Sequence, residues 1–202
     1  KPLQLAGMLR AGLSLPPPDL AVCASSHSGE PAQVRRVLDL LAGAGVPPTA
    51  LVCPPALPLD ETAAAAVVRA GGGPERVTMN CSGKHTAMLL TCVANGWPLA
   101  GYAEPDHPVQ IAIRAEVEDL AGQPVTAVAV DGCGAPLFGL SLAGLARAFA
   151  RLVTSAPGTP ERAVADAMRA HPGLVGGTGR DVTVLMAGAP GVLAKDGAEG
   201  VF

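Results

Sequence analysis

Lysine is scarce in this chain. Only three of the 202 residues are lysines, whereas eleven are arginines. The lysines are Lys1, Lys84 and Lys195, and the last two lie among small residues next to glycines. Arginine stays protonated in proteins, but a buried lysine can lose its proton and act as a base, a nucleophile or a metal ligand. The pattern therefore favours a chemical role for these amines, the alternative being three lysines left over by chance.

Aromatic residues and runs of basic residues are also scarce. Aromatics make up 2% of the chain and apolar residues 49%, so a core must be built from alanine, leucine and valine. A net charge of −3 without a basic run gives little support to nucleic-acid binding. The uncharged stretch 132–146 is too short to cross a membrane and contains Pro136. We therefore expect neither a nucleic-acid partner nor a membrane partner.

The five cysteines do not follow the pattern of a disulfide framework. Their number is odd, and three of them lie within apolar runs, where Cys23 and Cys92 are predicted core residues. This usage fits the reduced thiols of a cytoplasmic protein. No signal peptide is visible, and the chain begins without Met in a segment typical of a first helical turn. We expect a cytoplasmic protein. We also expect residues 1–202 to be a fragment of it that lacks segments at both ends.

Helical patterns predominate along the chain. Apolar periodicity and start and stop signals predict helices over 3–13, 30–42, 60–70, 86–94, 108–120, 141–153 and from 159 to about 171. Short apolar runs predict strands over 20–24, 125–130, 182–187 and 192–194, and we expect the last two to pair antiparallel. No Gly-x-Gly-x-x-Gly motif lies between a predicted strand and a following helix, so the sequence gives no sign of a dinucleotide-binding fold. The sequence predicts one helix-rich α+β domain with an antiparallel sheet.

Two clusters of polar residues stand at predicted helix starts. The first is the run Ser25 to Glu30, in which Ser28 is a good capping residue. Capping explains one serine, but not three serines and a histidine in a row. The second is Asn80 to His85, where Cys81 and Lys84 share a helix face and the amine would shift the thiol toward thiolate. The alternative for the second cluster is a helix cap with a small buried thiol.

Two further segments could contribute to a site. Cys133 lies between two glycines after the strand predicted at 125–130, and it could share a Zn²⁺ ion with Cys81. Two thiolates make only half of a zinc site, and no Cys-x-x-Cys spacing completes it. Arg180, in a glycine-rich loop, could hold a substrate carboxylate by paired hydrogen bonds, or it could be a surface arginine at a turn.

Taken together, these blocks resemble the bacterial L-asparaginase II family, also called the Rhizobium-type or class 3 asparaginases. The most specific block is Asn-Cys-Ser-Gly-Lys-His at 80–85. The matching blocks run in order along the chain: Lys1-Pro2, 23–30, 80–85, 131–133, His171-Pro172, Gly179-Arg180, and Lys195 with Gly197. The resemblance implies a fold like that of serine β-lactamases and glutaminases, and hydrolysis of L-asparagine to aspartate and ammonia. We also expect a homodimer.

The resemblance implies a role for ten residues. Two Ser–Lys pairs carry the family's chemistry; Ser26 with Lys195 matches one, and Lys1 matches the lysine of the other, whose serine would precede the chain. The family implies a zinc ion held by Cys81, Lys84 and Cys133, with water as a further ligand. His27, Asp131, Arg180 and His85 are candidate substrate contacts. Ser26 could serve as nucleophile or proton relay, and Lys1 and Lys195 could act as bases only when neutral.

Two rival functions remain compatible with the sequence. One is another amidohydrolase or acyl transferase that uses Cys81 or Cys133 as its nucleophile. The other is a non-catalytic domain that binds zinc or a small molecule.

Overall fold

The computed structural model describes residues 1–198, and helices predominate in this part of the chain. Prolines stand at the start of most of them, where a missing N–H costs no hydrogen bond. The α-helices are α1 (Pro2–Arg10), α2 (Pro17–Cys23), α3 (Pro31–Gly43), α4 (Glu61–Arg69), α5 (Ser82–Asn95), α6 (Pro108–Ala121), α7 (Leu142–Thr154), α8 (Pro160–Ala170), α9 (Pro172–Val175) and α10 (Asp181–Gly188), and a 3-10 helix spans Pro48–Ala50.

One antiparallel strand pair accompanies the helices in the described residues. It consists of β1 (Ala127–Val130) and β2 (Pro136–Gly139), with Ala127 opposite Gly139 and Val130 opposite Pro136. The strand predicted at 125–130 is thus confirmed, although it begins at Ala127. The protein is a helix-rich α+β structure, as the sequence predicted.

The predicted strand at 20–24 is wrong. Residues Leu20 to Cys23 form the second half of α2, which starts after Pro16 and has Pro17 in its first turn. The whole second half of this helix is buried. A short apolar run that is buried on all sides shows no periodicity, so pattern alone cannot separate a strand from a helix there.

The predicted antiparallel pair near the end of the chain is also wrong. Residues 182–187 lie in α10, and residues 192–194 form no strand. The β-branched residues Val182, Thr183 and Val184 suggested a strand, but a β-branched residue is only slightly unfavourable in a helix, and packing decides. The antiparallel pair of this fold is β1–β2 instead.

The predicted helices are otherwise confirmed, with ends that move by a few residues. The largest difference is at α5, which begins at Ser82, four residues before the predicted start. This earlier start places Gly83, Lys84 and His85 on the first helical turn, and all three are buried. The first turn of α5 is therefore part of the interior of the protein.

Close helix contacts set the position of the segments that carry the polar clusters. α1 packs on α6 and α8, while α2 packs on α8 and α5. A Cβ on Gly7 of α1 would lie 3.0 Å from the Cα of Ile113 in α6. The segment after α2 is tied to the segment before α5, because the His27 N–H donates to the Asn80 carbonyl oxygen at 3.2 Å. The two polar clusters are therefore neighbours in space.

Among the described residues, no helix has both the length and the apolar character needed to cross a membrane. All five cysteines are free and buried. Cys23 and Cys92 lie in the apolar core, fully shielded from solvent, as predicted.

Candidate functional site

Two lysine amines flank one serine hydroxyl. The Nζ atoms of Lys1 and Lys195 each lie 2.7 Å from Ser26 Oγ. Lys1 immediately precedes α1, Ser26 follows α2, and Lys195 follows α10. Ser26 and Lys195 are 169 positions apart in the sequence, and Lys1 reaches the same oxygen from the other side of Ser26 in the chain. The sequence predicted these three residues as a group, and the structure brings them together.

Burial acts on both amines at Ser26. Burial, with the nearby positive charges of Lys84 and Lys195, lowers the pKa of Lys1 to about 8 against the attraction of Cys81. Burial also lowers the pKa of Lys195, although Asp196 raises it in part. A lysine with a pKa near 8 exists partly as the neutral amine at neutral pH, and a neutral amine can accept a proton.

Asp196 is a site residue that the sequence analysis missed. Its Oδ1 accepts a hydrogen bond from Lys195 Nζ at 2.8 Å, and its Oδ2 accepts one from Arg180 Nη2 at 2.6 Å. The resemblance rested on Lys195 and Gly197, and Asp196 stands between them. The contact also draws Arg180, a predicted substrate residue, into the same group of charges.

A second group combines two thiols, an amine and a carboxylate. Lys84 Nζ lies 3.1 Å from Cys133 Sγ and 3.4 Å from Asp131 Oδ2, and Cys133 Sγ is 3.2 Å from that same oxygen. The ligand atoms of Cys81, Asp131 and Cys133 lie within 4.8 Å of one another. Lys84 is 1% exposed. α5 supplies Lys84 from its first turn, and the turn between β1 and β2 supplies Asp131 and Cys133.

Charge in this second group is shared between the thiols and the amine. A hydrogen bond from the Cys133 thiol lowers the pKa of Cys81 to about 5, and the charges of Lys1 and Lys84 act in the same direction. The pKa of Cys133 rises, because it donates that hydrogen bond and is buried. Burial alone would lower the pKa of Lys84, but Cys133, Cys81 and Asp131 outweigh burial and raise it. Without a metal ion, Lys84 is therefore an ammonium that balances the charge of the thiolate and the carboxylate.

The two predicted histidines, His27 and His85, are buried, and both are neutral. Burial, together with nearby lysine charges, lowers the pKa of each to about 3. His27 Nε2 lies 2.8 Å from Ser82 Oγ, whose own hydrogen goes to the Val77 carbonyl, and His27 Nδ1 accepts from the Gly29 N–H. Both ring nitrogens of His27 are therefore occupied within the protein.

His85 contacts a tyrosine. His85 Nδ1 lies 2.7 Å from the hydroxyl of Tyr102, which accepts a hydrogen bond from the Val52 N–H. The hydroxyl hydrogen of Tyr102 therefore points to Nδ1, and the ring proton of His85 is on Nε2. This buried Nε2 has no hydrogen-bond partner among residues 1–198. His85 does not line the open cleft that Ser26 and Cys81 face.

An open cleft of about 980 Å³ joins the two groups of side chains. Apolar residues of β1 and β2 and of the segment after β2 form one part of its wall. Its polar lining is Lys1, Gln4, Ser26, Asn80, Cys81, Asp131, Cys133, Arg180, Lys195 and Asp196. The hydroxyl with its two amines and the thiol group therefore face the same space, which is large enough for a small molecule.

The family model for L-asparaginase II matches residues 1–202, the entire chain. The chain belongs to the L-asparaginase II family. No curated protein matches it. Membership of the L-asparaginase II family supports an amidohydrolase of the asparaginase type, which acts on a small molecule.

The L-asparaginase II resemblance implied zinc, and the donor set of this chain fits a metal ion. Cys81, Asp131 and Cys133 are close enough to share an ion. Zn²⁺ prefers thiolate and nitrogen ligands over oxygen alone, and Lys84 Nζ adds a nitrogen beside Cys133. Lys84 must lose its proton to ligate, and a bound cation would drive that loss.

Proposed function

We propose that this protein hydrolyses L-asparagine to L-aspartate and ammonia, with Ser26, Lys1 and Lys195 as the catalytic residues. The observation that carries the proposal is the pair of 2.7 Å distances from Ser26 Oγ to the two lysine Nζ atoms. Amide hydrolysis needs an oxygen nucleophile, an acceptor for its proton and a donor for the departing nitrogen. A hydroxyl between two amines supplies all three within hydrogen-bonding reach.

The reaction balances with one amine neutral and the other protonated. The neutral amine takes the proton from the attacking hydroxyl as its oxygen bonds to the amide carbon. The ammonium gives a proton to the amide nitrogen, the C–N bond breaks, and ammonia leaves. Water then attacks the ester, its proton restores the ammonium, and the alkoxide recovers its proton from the first amine.

Ser26 can take either of two parts in this scheme. It attacks the amide carbon itself, or it passes the proton of another attacking hydroxyl to a lysine. In both cases one of the two amines must be neutral and the other protonated. Substitution of Ser26 by alanine is expected to abolish ammonia release in either case, whereas a covalent adduct on the Ser26 peptide, found by mass spectrometry after acid quenching, identifies Ser26 as the nucleophile.

Arg180 and Asp131 are the proposed contacts for the substrate's charged groups. Both line the cleft, and they carry the charges opposite to a carboxylate and an ammonium group. Asp196 engages one nitrogen of Arg180, and a guanidinium has five N–H donors, so donors remain for a carboxylate. His27 and His85 act one step away, because neither lines the cleft.

Cys81, Lys84 and Cys133 are the proposed zinc ligands, with Asp131 beside them. When bound, the ion supplies a positive charge that polarises and orients a substrate group. The protein's own part is to bring two thiols and a buried amine together and to hold Asp131 against Lys84. We propose that residues 1–202 belong to a single catalytic domain and that the enzyme is a homodimer, which sedimentation of the enzyme would test.

The direct test is ammonia release from L-asparagine, with L-glutamine as the competing substrate.

A thiol-dependent amidohydrolase is the second candidate, because Cys81 lines the cleft with a pKa lowered to about 5 by its hydrogen bond from Cys133. Alkylation of the thiols in metal-free, active enzyme separates the two. Activity that survives alkylation excludes a cysteine nucleophile, and protein that binds asparagine without releasing ammonia contradicts the hydrolase.

A further inference from the structure

Lys195 has a complete set of hydrogen-bond acceptors. Its Nζ lies 2.7 Å from Ser26 Oγ, 2.8 Å from Asp196 Oδ1 and 2.6 Å from the Asp196 carbonyl oxygen. An ammonium carries three N–H donors and no acceptor, so three acceptors match the protonated form of lysine. The side chain of Lys195 is 5% exposed, so water contributes little to this arrangement.

Asp196 supplies two of these three acceptors and is itself held in place. Its second carboxylate oxygen receives a hydrogen bond from Arg180 Nη2 at 2.6 Å. Arg180 immediately precedes α10, and Asp196 lies on the segment that follows this helix. The bridge therefore fixes the segment that carries Lys195 against the start of the preceding helix.

We propose that Asp196 is a positioning residue that keeps Lys195 protonated and aimed at Ser26 Oγ, which makes Lys195 the proton donor of the pair. This inference rests on the proposed amide hydrolysis and deepens it. The two amines at Ser26 differ in their other partners: Lys195 Nζ has two acceptors from Asp196 besides Ser26 Oγ, whereas the other partner of Lys1 is the Cys81 thiol. With Lys195 held as the donor, Lys1 is the amine that remains to accept a proton from Ser26.

The groups around Lys195 act on its pKa in both directions, and on balance the pKa is lowered. Burial, the largest effect, favours the neutral amine, and the charges of Arg180 and Lys1 act in the same direction. Asp196 opposes them through a hydrogen bond and through its charge, and Cys81 adds a weaker attraction. The Lys195 ammonium and the Arg180 guanidinium in turn hold the pKa of Asp196 below its ordinary range, although burial opposes them. Asp196 therefore stays ionised wherever Lys195 is required as an ammonium.

The test is the pH profile of kcat/KM in the intact, metal-loaded enzyme. Asp196→Asn keeps the shape of the side chain but removes its charge, so Lys195 should lose its proton at lower pH. A carboxylate this close typically shifts a pKa by about 1–3 units. The alkaline limb of the kcat/KM profile should therefore move to lower pH by about that amount. Asp196→Glu, which restores the charge, should return the limb toward the wild-type position. Asp106→Asn is the matched control, since Asp106 is exposed and lies on a different loop.

A direct measurement on the unaltered enzyme guards against a variant that fails to fold. Enzyme labelled with ¹³C at the lysine Cε positions gives a separate NMR signal for each lysine, and the signal that Lys195→Arg removes belongs to Lys195. We expect that signal to report an ammonium at the pH of maximal activity. A neutral amine at that pH, or an alkaline limb that Asp196→Asn leaves in place, overturns the role of Asp196. If the wild-type enzyme releases no ammonia at any pH, the proposed function itself fails.

Discussion

Gly83 and the Val22 carbonyl oxygen are in direct contact where α5 meets the end of α2. A Cβ at position 83 would lie far inside the van der Waals distance of that oxygen, and the neighbouring Cα of Cys23 would be 3.4 Å away. Only glycine allows this approach. It brings the first turn of α5, with Lys84, close to the segment that carries Ser26.

Gly83→Ala should therefore separate the two segments. The obstacle is backbone and cannot turn aside, so we expect a loss of about 1–3 kcal/mol in the free energy of unfolding and a fall in ammonia release. Urea titration measures the first quantity. Gly43→Ala is the matched control, because nothing lies within 4 Å of a Cβ at that end of α3, and it should leave stability unchanged or raise it. Equal behaviour of the two variants would contradict the close contact.

Lys195→Arg should keep the fold and the positive charge but abolish proton transfer. A guanidinium does not release a proton near neutral pH, so we expect ammonia release to fall by about 10²–10⁴-fold. Circular dichroism provides the control for folding. Turnover close to that of the wild type would remove Lys195 from the proton-transfer role.

Cys133→Ala should remove the bound metal. Native mass spectrometry of the wild-type protein is expected to show one zinc ion, and the variant none, because Cys133 contacts both Lys84 and Asp131 in the donor group. Cys92→Ala provides the control, since Cys92 is equally buried but belongs to the apolar core. The control should lose stability and keep its zinc. A metal-free wild-type protein ends the zinc proposal.

Zinc binding should release protons and should strengthen as the pH rises. Lys84 has a raised pKa in the metal-free site, because Cys133, Cys81 and Asp131 outweigh its burial, so it must give up a proton to ligate. The Cys133 thiol, whose pKa is also raised, must give up another. Calorimetry in buffers of different ionisation enthalpy counts these protons. A heat that does not depend on the buffer would mean that Lys84 stays protonated and outside the ligand set.

Two buried carboxylates away from the cleft, Glu116 and Glu161, should make the stability of the protein depend on pH. Arg10 of α1 bridges them, with its Nε 2.6 Å from Glu116 Oε2 and a second nitrogen on Glu161. Burial and the hydrogen bond with Glu161 together raise the pKa of Glu116 from 4.5 to about 7, against the attraction of Arg10. The native state therefore binds more protons than the unfolded state between these pH values, and stability should fall as the pH rises through them.

Glu116→Gln should abolish this fall, which we expect to be about 2 kcal/mol. Glu161 does not contribute in the same window, because its pKa is lowered and its effect lies below pH 4.5. Urea titrations at pH 5 and pH 7.5 measure the difference. An unchanged pH dependence in the variant would show that Glu116 does not carry it.

Much of the fold could be predicted because the helices carry local signals. Prolines and capping residues mark their starts, and apolar spacing marks their buried faces. The run at 20–24 and the segment at 182–187 were predicted wrongly for the same reason: each is short, and its helical state depends on neighbours that are distant in sequence. Tertiary packing overrides the weak local preference at such places.

The sequence alone determined which residues could carry chemistry, because scarce lysines beside serines, thiols and glycines stand out without any structure. The distances among them were decided only by the tertiary structure. Local patterns contain no information on contacts across 169 positions, such as that of Lys195 with Ser26. Asp196 shows the difference most clearly, since an aspartate in a glycine-rich segment has many ordinary explanations. Its importance becomes visible only when the chain folds Lys195 and Arg180 onto the same carboxylate.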